Sequence, residues 1–140
     1  MQIKPLSLAA AALTLGLSLP AHAQTEIQWW HAMGGALGEW VNDLAKDFNA
    51  SQKQYKVVPT FKGSYDESMT AAIAAFRAGN APDILQVFEV GTATMMYSKG
   101  AIKPVAEVMK PPGVKFDPGA YIPAVAGYHT APHGQMRSFQ

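Results

Sequence analysis

Cysteine is absent from the 140-residue chain, which excludes a disulfide framework, a thiolate zinc site, a thiol nucleophile and a lipidated N-terminal cysteine that would tether an exported protein. No sign of charge dominates. The 11 Lys and Arg face 10 Asp and Glu, a formal net charge of +1, so there is no broad cationic surface for a phosphate backbone and nucleic-acid binding is not expected. Charged residues are only 15% of the chain, too few for a disordered polyelectrolyte. Neither G-x-x-x-x-G-K-[ST] nor G-x-G-x-x-G occurs, which removes the nucleotide-binding motifs, and no G-x-S-x-G elbow offers a serine nucleophile. The longest apolar run, Leu6 to Leu19, is interrupted by Ser, Thr and Gly and falls short of the roughly 20 residues that span a bilayer.

That run instead fits an export leader. Lys4 supplies a charged n-region, Pro20 breaks the apolar segment, and Ala21-His22-Ala23 has the small-x-small form of a cleavage site. A signal peptide over residues 1–23 is therefore expected, with cleavage after Ala23 and a mature chain beginning at Gln24. Loss of the leader removes Lys4 and leaves a formally neutral remainder.

The remainder reads as alternating strands and helices. Ile27-Gln28-Trp29-Trp30 is short, aromatic and β-prone and runs into the glycine-bearing loop His31–Gly35. From Ala36 to Ala50, Leu37, Val41, Leu44 and Phe48 recur at helical spacing, predicting an amphipathic helix that covers a sheet. Tyr55 to Phe61 predicts a second strand, at an edge because Pro59 has no N–H to donate. Ser64 and Glu67 have capping-box spacing, Met69, Ile73 and Phe76 form a stripe, and Gly79 with Pro82 ends the helix. Ile84 to Phe88 predicts a third strand, buried on both faces, and Thr92 to Lys99 a third helix. Beyond Gly100 the prolines allow only short elements, and Tyr128 to Gln140 predicts strand, turn, strand. The pattern is that of an α/β fold built from β-α-β units, with ligand expected outside the carboxyl ends of the strands.

Three places meet that location: Trp30-His31, Tyr65 and Glu89. Aromatic faces, a phenol donor and a carboxylate acceptor suit the holding of a polar small molecule, although for Tyr65 and Glu89 structural packing competes evenly and Trp29 fits a core position. The different-class alternative is a metal-dependent hydrolase using His31, His129 and His133. Pro132 disfavours a helix that would bring the last two together, so loop or surface histidines are expected and no metal or cofactor. Asp66 and Glu67 fall in the first turn of a helix and complement its dipole.

Longer stretches carry a resemblance. Trp30-His31-Ala32-Met33-Gly34-Gly35, Asp47-Phe48-Asn49-Ala50, Lys62-Gly63-Ser64-Tyr65, the run from Ala74 to Val87 and Glu89-Val90-Gly91-Thr92-Ala93-Thr94-Met95-Met96 together resemble the extracellular solute-binding proteins of carbohydrate-type ABC importers. The resemblance implies a two-lobed, type II periplasmic binding protein, with residues 24–140 forming part of the N-terminal lobe. It also implies a periplasmic, monomeric, non-enzymatic protein that hands its ligand to membrane permease subunits. The glutamate-led motif is most similar to the branch that takes sn-glycerol-3-phosphate, with glycerophosphodiesters as related ligands. Tyr65 and Glu89 match that family's ligand-binding tyrosine and glutamate. A carboxylate repels a dianionic phosphate, so Glu89 is assigned to the glycerol hydroxyls and donors such as Tyr65 to the phosphate. The second lobe, with further serine, glycine, tyrosine and arginine ligands, is not in this sequence. A sugar-binding member of the same family and a truncated, non-binding product are the alternatives.

Overall fold

In the computed structural model, residues 24–98, 100–113 and 115–139 are described; the leader expected at 1–23, and Lys99 and Gln140 at the ends of two expected elements, lie outside the described residues. Among the described residues three strands and five helices follow in the order β1 (Thr25–His31), α1 (Gly35–Ser51), β2 (Tyr55–Phe61), α2 (Tyr65–Arg77), β3 (Ile84–Leu85), α3 (Glu89–Tyr97), α4 (Val105–Val108), a 3-10 turn (Pro118–Ala120) and α5 (Pro123–Tyr128). The sheet is parallel, with strand order β2-β1-β3. Winding reverses at β1, and two right-handed crossovers then place α1 and α2 on opposite faces. Period-two alternation gives each face its residues: Trp29 and His31 stand beside Pro59 and Phe61, and Gln28 and Trp30 beside Val58 and Thr60.

Beta2 is an edge strand, as Pro59 predicts, and its free margin is closed by side chains. Gln52 accepts from the Tyr55 N–H and donates to its carbonyl, both at 2.7 Å, and Asn49 does the same for Val57 at 2.7 and 2.8 Å. Pro59, next in the outward series, has no N–H. The capping box of α2 also forms as its spacing predicts: the Glu67 N–H donates to Ser64 Oγ and the Ser64 N–H to Glu67 Oε2. Along α2, Ser68, Ala72 and Ala75 are buried at i, i+4 and i+7, small residues that let the helix approach the sheet closely.

Four expectations are corrected. Beta3 is two residues long, and Ile84 is 45% exposed rather than buried on both faces, because the strand's outer margin has no neighbour among the described residues. The helix expected from Thr92 begins at Glu89, since the backbone turns at Phe88. The strand-turn-strand expected over Tyr128–Gln140 is reduced to a single antiparallel bridge, Thr130 with Met136, around a turn at Ala131–Gly134; Tyr128 belongs to α5. Alpha1 covers the sheet through Val41 and Ala45, while Leu37, Leu44 and Phe48 join Trp40 in an exposed stripe.

Candidate functional site

Open α/β sheets take their ligands where the winding reverses, here at the carboxyl ends of β1 and β3; the cleft of this chain runs beside β3, and no residue of β1 lines it. Short as β3 is, its seam with β1 is continued at both ends by side chains. The Gln28 N–H donates to Asp83 Oδ2 at 2.8 Å; beyond the paired residues, the Gln86 N–H reaches the Trp30 carbonyl at 2.9 Å and Gln86 Oε1 accepts from the Ala32 N–H at 3.0 Å. Gln86 thereby fixes the loop leaving β1 against the segment leading to α3.

The two favoured residues occupy equivalent positions, each the first residue of a helix that starts at this edge. Tyr65 opens α2 directly after its cap Ser64, and Glu89 opens α3 after Phe88. Phe88 joins them, its ring centroid 5.4 Å from that of Tyr65. Tyr65, Phe88 and Glu89 all line one open cleft of about 1290 Å³, with apolar walls from α2 and β3 and a far wall from the segment Ala124–Phe139. Tyr128 ties that wall down by donating its hydroxyl to the Glu89 carbonyl. Glu89 sits at the positive end of its helix dipole, where a carboxylate is favoured, and its side chain is exposed.

The third sequence candidate does not join them. Trp30 and His31 lie within β1, not in the loop after it, and neither lines the cleft. Trp30 carries the Lys62 ammonium 3.8 Å from its ring centroid, a cation–π contact. His31 is 2% exposed, packs between the rings of Trp29 and Phe61, and accepts at Nδ1 from the Met33 N–H. His129 is buried too, with Nδ1 2.6 Å from Ser138 Oγ. The expected loop or surface setting therefore fails for His31, which lies in β1, and holds for His129, buried in the turn after α5, and for exposed His133. Burial lowers the pKa of both buried imidazoles, since charging them would strip water from a cation. Among the described residues no three His, Cys, Asp or Glu side chains are grouped to hold a metal ion.

Phe88, Tyr128, Arg137 and Ser138 line the cleft without having been singled out by sequence. The aromatic immediately before the glutamate was the available signal for Phe88. Nothing local marks Tyr128, whose hydroxyl partner Glu89 is 39 residues away, or Arg137, whose backbone is held by His129 and Val105.

Comparison with known proteins supports this geometry's family assignment. The chain is 56% identical over 130 residues to the sn-glycerol-3-phosphate-binding periplasmic protein UgpB of Escherichia coli O1:K1 / APEC, and 55% identical over 130 residues to the proteins of that name from Escherichia coli strain K12 and Shigella dysenteriae serotype 1. Each alignment takes in 91% of this chain and 30% of the relative, so the chain spans under a third of their length. The sequence profile of the bacterial extracellular solute-binding proteins matches residues 34–132, from the cap of α1 through both helix starts of the cleft to the turn after α5, and the chain belongs to that family.

Proposed function

We propose that residues 24–140 form part of the N-terminal lobe of a two-lobed, type II periplasmic protein that binds sn-glycerol-3-phosphate for an ABC importer, after removal of a leader at 1–23. The single observation that carries the reading is that Tyr65 and Glu89, the two residues of the binding motifs, begin neighbouring helices and line one cleft at the carboxyl edge of the sheet. The name shared by the relatives supports the ligand.

In this reading the protein binds and does no chemistry. Glu89 accepts hydrogen bonds from the glycerol hydroxyls, and the Tyr65 hydroxyl donates to the phosphate. The cleft is open on one side, so a second lobe closing over it desolvates the ligand and strengthens each charged hydrogen bond. The protein acts as a monomer and presents the closed form to the permease subunits.

Calorimetric titration of the whole gene product with sn-glycerol-3-phosphate, and with maltose as the sugar competitor, tests the reading. Saturable binding of the phosphate ester alone is expected. Binding of maltose alone would move the chain to a sugar-binding branch, a reading to which the Tyr65–Phe88 aromatic pair lends itself.

A further inference from the structure

The far wall of the cleft carries a cation that no sequence motif marks. Arg137 is half-buried, and its Nε is shielded from solvent without a hydrogen-bond partner among the described residues. An N–H left unpaired in a shielded place is costly, so the geometry calls for an acceptor that the described residues do not supply. The backbone beneath it is held from two sides: the Arg137 N–H donates to the His129 carbonyl at 2.8 Å, and its carbonyl accepts from the Val105 N–H at the start of α4. Neighbouring Ser138 is fixed by buried His129. The segment is thus a positioned support and not a loose tail, and the Tyr128 hydroxyl anchors it to the Glu89 carbonyl across the cleft.

Arg137 and Glu89 line the same cleft, yet among the described residues the only ion pair joins Lys56 to Glu26. Opposite charges that share a cleft without neutralising each other suit a ligand with two unlike ends, one rich in hydroxyls and one anionic. We infer that Arg137 is a further ligand-binding residue, whose guanidinium receives the phosphate oxygens while Glu89 holds the hydroxyl end. A planar fork of donors matches a phosphate's geometry, which the point charge of lysine does not. This inference rests on the proposed ligand; it answers how a cleft lined by a carboxylate accepts a dianion.

The experiment compares the wild-type gene product, whole, with Arg137→Met and Arg137→Lys, using calorimetry with sn-glycerol-3-phosphate and the phosphorus NMR shift of the bound ligand. Arg137→Met keeps the aliphatic stem, and its thermal midpoint is measured beside its affinity. The expected result is a loss of about 10- to 100-fold for Arg137→Met. Arg137→Lys should lie between, with a displaced phosphorus shift in both variants. Unchanged affinity and shift would overturn the inference while leaving the ligand intact. A wild-type protein that binds no sn-glycerol-3-phosphate would instead overturn the ligand assignment, and this inference with it. If Arg137→Met lowers the midpoint, Arg137→Lys decides: wild-type affinity and an unmoved phosphorus shift reject the contact.

Discussion

His31 and His129 sit where water is excluded, and each is more easily kept neutral than charged. The unfolded chain has no such restriction and takes up protons near the ordinary imidazole value of about 6.5. Below that pH the unfolded state binds more protons than the folded one, so stability present at neutral pH falls as the solution is acidified toward the lowered folded values. Urea unfolding of the whole gene product at pH 7.5 and 5.5 should show this decline, and His129→Gln should flatten it; an identical pH dependence in the variant would refute the assignment. Glu89→Gln keeps the shape of the acceptor but removes its charge, and weaker binding of sn-glycerol-3-phosphate is expected by calorimetry, at least several-fold if the hydroxyl contact is charge-assisted. Ser68 makes a third case. Its hydroxyl is fully buried and has no partner among the described residues, so Ser68→Ala should leave stability unchanged or raise it by up to about 1 kcal/mol in the same urea assay. At this scale Tyr65 and Glu89 were legible because they stand inside recognisable words of sequence. Arg137 was not, since an arginine's importance here depends on a shielded Nε and a distant wall, neither of which has a linear signature.

Alpha2 shows what local chemistry can announce. Ser64 and Glu67 are three residues apart, and the reciprocal hydrogen bonds that this spacing permits are formed. Ser64→Ala should cost about 1 kcal/mol of stability. Gly63→Ala should cost more, about 1–2 kcal/mol from the left-handed backbone alone, because φ is +84° and an added Cβ would stand 2.3 Å from Glu67 Oε2, displacing half of the box. Urea unfolding ranks the two, and the reverse order would mean that the carboxylate is dispensable. The Glu67 pKa is lowered, chiefly by the Ser64 backbone N–H, so this cap is made above the carboxylate range and lost as pH falls through the lowered value. Alpha3 and β3 were harder to read. The run Ile84–Phe88 has the composition of a buried strand, but only Ile84 and Leu85 pair, and the chain has already turned into a helix by Glu89. Apolar composition reports burial in a finished sheet. It does not report how many neighbours a strand has.

That distinction governs the whole molecule. Leu37, Trp40, Leu44 and Phe48 are exposed along α1, and Phe76 and Ile84 are exposed beside the open margin of β3, a grouping of large apolar side chains of the kind that marks an interaction surface or an aggregation liability. The alternation of strands and helices made the α/β class and the order of elements legible, and the helix starts after β2 and β3 placed Tyr65 and Glu89 on the cleft; the exposed faces were not legible, because Leu37, Leu44 and Phe48 have core spacing and find no core among the described residues. Residues 24–140 produced alone should bind a hydrophobic dye and self-associate in sedimentation, and a sharp cooperative unfolding of a dye-silent monomer would contradict this. The margins of the sheet behave differently in that setting. Asn49, Gln52 and Pro59 satisfy or silence the outer side of β2 with residues drawn from one short stretch, before β3 has been added. The sheet consequently has a handed capacity for extension, terminated on one flank and receptive on the other. Any additional strand of a longer polypeptide must enlist beside β3, so the flank that carries the cleft is also the one on which assembly is completed.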